Sequence, residues 1–203
     1  MTSDSTADAS VRLLAAAESG DVAAAAQALD DGAPIEARDH KDRTALLLAT
    51  TFDHVDVARL LVERGADPNA LDDRHDTPWL VTGVTGSVAM LEVLLPANPD
   101  MTIRNRYGGV SIIPASERGH VDYVRRVATT GIDVNHVNDL TWTALLEAVI
   151  LGDGSAMYAE IVSILLTAGA DPSIPDKDGV TALEHARASG YDDIVRLLSA
   201  ATA

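Results

Sequence analysis

The sequence predicts an all-α solenoid of about six helix-turn-helix repeats joined by short hairpin-like turns. Three sets of residues recur along the chain with one period, which is the signature of a repeat protein. The members of each set share a chemistry that starts a helix, ends a helix or reverses the chain. The composition agrees with this fold class, because 47% of the 203 residues are hydrophobic and only 3% are aromatic, as expected for helices packed through Ala and Leu.

The first set of residues marks the start of the first helix in each repeat. Its members recur every 33 residues and are Thr44, Thr77, Val110 and Thr143. The next equivalent is Thr181, which is 38 residues further on, so five residues (153–157) are inserted in the fifth repeat. A threonine hydroxyl at this position accepts a hydrogen bond from the free N–H groups of a helix N-terminus. The threonines therefore predict helix starts.

The other two sets place a stop and a reversal in every repeat. The residues that end the second helix are Gly32, Gly65, Asn98, Gly131 and Gly169. Such helix ends adopt a left-handed conformation that favours Gly and tolerates Asn. The residues between the two helices are Gly20, Asp53, Gly86, Gly119, Gly152 and Gly190. Together the sets predict repeats over residues 9–38, 39–71, 72–104, 105–137, 138–175 and 176–201.

Four residues predict local departures from this plan. Pro96 lies near the end of a second helix and is expected to end it early, since proline removes a backbone hydrogen bond. Pro114 lies near the start of a first helix, where it is expected to remove one early backbone bond at a smaller cost. Trp79 is expected to be buried. Thr141 stands where the repeats favour Gly at the hairpin tip, and a β-branched residue is not expected to accept a positive φ there.

The motifs at these positions resemble those of the ankyrin-repeat family. Residues 105–120 (NRYGGVSIIPASERGH), 76–86 (DTPWLVTGVTG) and 65–69 (GADPN) match the family pattern, and the resemblance covers about residues 9–201. It implies a single ankyrin-repeat domain over residues 9–203, with residues 1–8 expected to be disordered. It also implies a role in binding partner proteins.

No motif in the sequence predicts catalysis. Nucleotide-binding glycine loops, nucleophile elbows and zinc-helix motifs are absent from the sequence, and the chain has no Cys. His54 and His120 occupy equivalent positions two repeats apart, roughly 20 Å at the usual spacing of packed helices, so they are not expected to share a metal ion. We therefore expect no catalytic residues, no cofactor and no metal.

The charge limits the kinds of partner that the chain can bind. The formal net charge is -16, which repels the phosphates of nucleic acids, and no apolar run is long enough to span a membrane. One interpretation of this negative charge is that it keeps a protein with a large surface soluble. The alternatives are that it attracts a partner with a basic surface or that it mimics nucleic acid. The N-terminal residues lack a secretory signal. We expect a cytoplasmic monomer that binds a protein.

The resemblance implies that a partner meets the concave face, which turn tips and first helices build in ankyrin repeats. The candidate partner-binding residues at such positions are Phe52, Arg74, Tyr107, Leu140, Trp142, Ile150 and Leu151. Large side chains at exposed positions are typical of binding sites. The alternative is that Ile150 and Leu151 pack under the inserted residues. A second candidate function is that of an inhibitor or immunity protein that occludes a basic enzyme active site.

Overall fold

The structure is a computed structural model that describes the backbone of residues 2–202 and the side chains of residues 6–202. Its described residues form helices, turns and one isolated bridge between Arg38 and Thr44, with no strand among them. The chain divides into two compact units, Met1–Asn105 and Arg106–Ala203. The single domain expected from the sequence stays a prediction.

Unit 1 contains three helix pairs and one 3-10 turn. The helices are α1 (Thr2–Ser19), α2 (Val22–Asp30), α3 (Ala45–Thr51), α4 (Val55–Glu63), α5 (Pro78–Thr85) and α6 (Val88–Leu94). The first helices pack on one another in the order α1, α3, α5, and the second helices pack in the order α2, α4, α6. Trp79 is fully buried in this core, as predicted, together with Leu46, Leu61 and Leu91.

Unit 2 repeats the same arrangement. Its helices are α7 (Ile112–Glu117), α8 (Val121–Val127), α9 (Ala144–Ile150), α10 (Ala156–Thr167), α11 (Ala182–Ser189) and α12 (Asp192–Ala201). α9 packs between α7 and α11, while α10 packs between α8 and α12. Tyr123, Leu145, Ile161 and Leu198 are fully buried here. All-α helix pairs stacked in series are the fold class that the sequence predicts.

Threonine caps begin four of the first helices, as predicted. The hydroxyls of Thr44, Thr77, Thr143 and Thr181 each accept a hydrogen bond from the backbone N–H three residues on. Val110 has no hydroxyl, and α7 is only six residues long, without a side-chain cap among the described residues. Pro96 ends α6 early, because the chain continues from Leu94 as a 3-10 turn, Leu95–Ala97.

The N-terminal expectation differs from the structure. Residues 1–8 were expected to be disordered, but α1 begins at Thr2, while Met1 lies outside the described residues. No Gly or Pro interrupts the chain before Ala9, which is fully buried, as is Leu13 one turn later. These two side chains anchor α1, and the helix extends from them toward the N-terminus.

The inserted residues also differ from their expected place between two helices. Ala156 and Met157 belong to the first turn of α10, which makes α10 the longest helix of unit 2, with 12 residues. Gly154, rather than Gly152, adopts the positive φ (73°) between α9 and α10. The insertion therefore lengthens a helix and moves the chain reversal by two residues.

Candidate functional site

The turn that carries Leu140 and Trp142 is fixed by the side chain of Asn138. Its Oδ1 accepts hydrogen bonds from the backbone N–H groups of Leu140 and Trp142, both at 3.0 Å. The Asn138 N–H donates to the Trp142 carbonyl at 3.0 Å, and the Thr141 N–H donates to the Asn138 carbonyl at 2.9 Å. We call residues 138–142 the Asn138 turn. This network holds Leu140 with 51% of its surface exposed and leaves Trp142 half-buried.

Thr141 does adopt the left-handed conformation that a β-branched residue was not expected to accept. Its φ is 63°, close to the values of Asp42 (58°) and His75 (61°) at the same position of earlier turns. The Thr141 hydroxyl donates to the Leu140 carbonyl at 2.6 Å. The surrounding hydrogen bonds hold Thr141 in a conformation that costs a non-glycine residue free energy. The expectation that Thr141 would not accept a positive φ was therefore wrong.

Tyr107 lies next to the Asn138 turn within unit 2. Its carbonyl accepts a hydrogen bond from the Asp139 N–H at 3.0 Å, which ties the two turns together. Tyr107 is 55% exposed, and the Arg106 guanidinium lies 4.5 Å from the centroid of its ring. His136 contacts the Gly108 carbonyl through Nε2 at 2.6 Å and adds a second link. Tyr107, Leu140 and Trp142 are thus carried on a shared backbone framework.

Ile150 and Leu151 lie at the C-terminal end of α9. Ile150 is half-buried, and Leu151 is 48% exposed. Two tyrosine side chains pack around the chain segment that follows α9. The Tyr158 hydroxyl donates to the Glu117 carbonyl at 2.8 Å, and the Tyr191 hydroxyl donates to the Gly152 carbonyl at 3.0 Å. Half of the Leu151 surface therefore stays open to solvent beside the insertion.

Gly152, just before the insertion, and Gly154, within it, are needed for close packing. A Cβ at Gly152 would lie 2.7 Å from the Tyr158 ring, and a Cβ at Gly154 would clash with the ring of Tyr191. These contacts fix the chain reversal after α9. As a result, the backbone that follows α9 lies against two tyrosine rings.

The two remaining predicted residues lie in unit 1. Phe52 is 45% exposed, and its ring stacks on that of His54 with centroids 6.2 Å apart. Arg74 is exposed at the tip of residues 72–76, where its N–H donates to Asp72 Oδ1 at 2.9 Å. The described contacts bring Tyr107, Leu140 and Trp142 together in unit 2, whereas Phe52 and Arg74 are described in unit 1 alone.

A buried carboxyl group lies directly beneath the Asn138 turn and was missed in the sequence. Glu147 on α9 is only 5% exposed, and its Oε1 accepts a hydrogen bond from Asn138 Nδ2 at 2.8 Å. Burial and, to a smaller extent, the nearby Glu117 carboxylate raise its pKa from 4.5 to about 7, while the bond from Asn138 opposes both effects. Glu147 stands where equivalent repeats have Leu48, Val81 and Pro114, which is the signal that could have revealed it.

The described residues contain no group of three or more His, Asp or Glu side chains able to hold a metal ion. Within the same part of the chain, no helix is both long and apolar enough to cross a membrane. The site is therefore a surface of turns and helix ends, with hydrogen-bonded backbone beneath exposed aromatic and aliphatic side chains.

Comparison with known proteins identifies the class. The profile of the family described as "Ankyrin repeats (3 copies)" matches residues 8–72 and 112–203. The ankyrin repeat protein YahD of Escherichia coli K12 is 39% identical over 191 residues, covering 94% of this chain and 95% of that protein. The chain belongs to the ankyrin repeat family.

Solved structures agree with that assignment. A crystal structure of an ankyrin repeat domain from Acinetobacter baumannii AYE is 46% identical, with a TM-score of 0.90, over 94% of this chain and 97% of that one. The ankyrin repeat domain of Bcl-3, described as a member of the IkappaB protein family, is 26% identical with a TM-score of 0.83, over 95% of this chain and 86% of that one. Ankyrin repeat domains generally mediate protein–protein interactions, and the fold is typically non-catalytic.

Proposed function

We propose that this chain is a non-catalytic protein-interaction module that binds a partner protein on the concave face of its repeats. The observation that carries the proposal is the exposure of Tyr107, Leu140 and Leu151 on ordered backbone in unit 2. Large side chains that are already ordered lose little conformational entropy on binding, so they favour affinity. Trp142 and Ile150 complete this surface, and Phe52 and Arg74 are the corresponding candidates in unit 1.

The proposal includes the chemistry of the partner. The chain carries 31 Asp and Glu against 15 Lys and Arg residues, so a partner with a basic surface is favoured electrostatically and nucleic acid is disfavoured. We propose that the chain acts as a monomer in the cytoplasm, without a cofactor.

Co-purification from native lysate followed by mass spectrometry tests the proposal. The bait is the tagged full chain, and the variant is Leu140→Ser combined with Leu151→Ser, both at exposed positions. Leu71→Ser is the matched control, because Leu71 is 42% exposed in unit 1 and is not a candidate. A stoichiometric protein recovered by the wild type and by Leu71→Ser, and lost with the double variant, is the expected result. Equal recovery by all three proteins contradicts the proposed surface.

The second candidate is an inhibitor or immunity protein that occludes a basic enzyme active site, and the net charge of -16 favours it. It predicts that the co-purified protein is an enzyme and that equimolar addition of this chain abolishes its turnover. Full turnover in the saturated complex would show an adaptor instead. Turnover of a small substrate by the pure chain itself would contradict both candidates.

A further inference from the structure

The Asn138 turn differs chemically from the three equivalent turns that begin with an aspartate. At residues 39–43, 72–76 and 176–180 an aspartate carboxylate accepts from the N–H groups two and four residues on. At residues 138–142 a neutral amide oxygen makes the same two bonds. A neutral acceptor makes weaker hydrogen bonds than a carboxylate does. The hydrogen bonds within the Asn138 turn are therefore weaker than those within the aspartate turns.

The orientation of the Asn138 amide depends on Glu147. Oδ1 faces the two turn N–H groups, and Nδ2 donates to Glu147 Oε1 at 2.8 Å. Asn138 is 6% exposed and Glu147 is 5% exposed, so solvent is largely kept from this bond. An ionised carboxylate can only accept, which holds Nδ2 toward Glu147 and Oδ1 toward the turn. A protonated carboxyl loses the charge assistance and gains an O–H that can donate to Oδ1, in competition with the turn N–H groups.

We propose that proton uptake by Glu147 loosens the Asn138 turn, so that the pair Asn138–Glu147 makes the presentation of Leu140 and Trp142 sensitive to pH. Linkage supports this direction. The bond from Asn138 favours the charged form of Glu147, and by reciprocity the charged form favours the bond. The positive φ of Thr141 gives the turn a strained residue that the hydrogen bonds must hold in place.

Burial, with a smaller effect of the neighbouring Glu117 carboxylate, raises the pKa of Glu147 to about 7. The titratable groups on the helices packed against α9 are Glu117 on α7, Tyr158 and Glu160 on α10, and Glu184, His185 and Arg187 on α11. Of these, Glu117 acts on Glu147 and raises its pKa, in addition to the larger effect of burial. His185 pairs with Asp176, and Glu160 pairs with Arg125. Beside the turn itself lie Asp139 and His136.

The equivalent pair in the sixth repeat shows that two side chains at this spacing can connect the turn to the first helix. Asp176 and His185 are also nine residues apart, and their side chains are 2.8 Å apart. There the carboxylate sits in the turn itself, and the helix residue pairs with it. In the fifth repeat the acidic group is Glu147 on α9. The turn therefore depends on the charge of a helix residue rather than on a charge of its own.

Solution NMR of the free, full-length chain tests the inference between pH 5.5 and 8.5. The readouts are the Glu147 side-chain carboxyl ¹³C shift and the hydrogen-exchange protection of the Leu140 and Trp142 amides, corrected for the intrinsic pH dependence of exchange. Protection is expected to fall about fivefold as pH falls, which is the difference between a charged and a neutral hydrogen bond. The amide midpoints should match that of the Glu147 carboxyl.

The controls decide between Glu147 and other groups. The Arg74 and Asp76 amides, held by Asp72, should keep constant protection over this range. Glu147→Gln keeps an acceptor for Asn138 but cannot titrate, so its Leu140 and Trp142 amides should lose the pH dependence. A titrating Glu147 with unchanged amides overturns the inference, and so does a dependence that survives in Glu147→Gln. If that variant fails to fold, the test is the wild type alone. Different pH midpoints for the Glu147 carboxyl shift and for the amide protection overturn the inference.

The inference rests on the proposed function only for its consequence, which is pH-dependent binding. The experiment uses no partner, so its failure leaves the proposed surface untouched. Conversely, a failed co-purification leaves the coupling of Glu147 to the turn measurable.

Discussion

Residues 72–76 in unit 1 and residues 138–142 in unit 2 are the same turn built in two ways. Both have a left-handed residue at the tip, His75 or Thr141, and both close through two side-chain-accepted backbone bonds. In the first turn the Asp72 carboxylate does this alone. In the second, Asn138 needs a buried glutamate nine residues further along the chain. One backbone geometry can thus be self-contained or depend on a distant charge.

The tryptophans near the two turns also differ, in how deeply they are buried. Trp79, two residues after the capping Thr77, is fully buried, whereas Trp142, one residue before the capping Thr143, is half-buried. The buried tryptophan supports the core of its unit. The half-buried one belongs to the surface that we propose for binding.

Truncation of the two tryptophans should distinguish these roles, and it should give the largest change in stability of the substitutions considered. Trp79→Ala should lower the free energy of unfolding by about 4 kcal/mol, because it leaves a large cavity in unit 1. Trp142→Ala should cost only about 1 kcal/mol, since less of its area is buried on folding. Urea denaturation monitored by circular dichroism measures both. Similar costs would show that Trp142 is a core residue.

Giving the Asn138 turn the chemistry of unit 1 should harm it. Asn138→Asp removes the donor to Glu147 and places two carboxylates together in a buried site, which should cost about 3 kcal/mol at pH 8. The loss should shrink at pH 5, where the pair can share a proton. The reverse change, Asp72→Asn, is the control and should cost only about 1 kcal/mol at either pH. A stabilising Asn138→Asp would mean that Glu147 does not support the turn.

Removing the buried charge should stabilise unit 2 at alkaline pH. The folded-state pKa of Glu147, about 7, lies above its ordinary value of 4.5, so the folded chain binds this proton more tightly than the unfolded chain. The contribution of Glu147 to stability is therefore fully present below about pH 4.5 and is lost as the pH rises through 7. Glu147→Gln should gain on the order of 2 kcal/mol at pH 8 and little at pH 5. Melting temperatures of both proteins at the two pH values measure this, and parallel pH profiles would refute it.

The tip residues should give the smallest effect. Thr141→Gly relieves a β-branched residue at φ 63° and should stabilise unit 2 by about 1 kcal/mol. His75→Gly is the matched change in unit 1 and should gain less, because His accepts the left-handed region more readily than Thr. Thermal unfolding compares the pair. A larger gain in stability from His75→Gly would show that the more strained turn is in unit 1, which contradicts the prediction.

The sequence predicts most of this fold because each element depends on local chemistry. The four capping threonines, the left-handed Asn98 and the early end of α6 at Pro96 all follow from residues within one helical turn. The burial of Trp79 follows from the repeat pattern. Such features need no knowledge of neighbouring repeats.

The features that were missed depend on contacts of the folded chain, both within the fifth repeat and with its neighbours. Thr141 adopts its positive φ because its backbone is held by Asn138 and, through Asp139, by the Tyr107 carbonyl. Ala156 and Met157 of the insertion join α10, and the chain reverses at Gly154, which lies against the ring of Tyr191. Glu147 is visible in the sequence as an acid at an apolar position, but its partner, nine residues earlier, is identified only by the folded chain.

The most direct test of the central claim is the affinity of the co-purified partner for the wild type, Trp142→Ala and the control Leu71→Ala, measured by calorimetry at pH 8. The account predicts that Trp142→Ala weakens binding by about 30- to 1,000-fold, the usual effect of truncating a central interface tryptophan. Leu71→Ala should bind like the wild type. Wild-type affinity of a folded Trp142→Ala protein would contradict the claim that the Asn138 turn carries the binding surface.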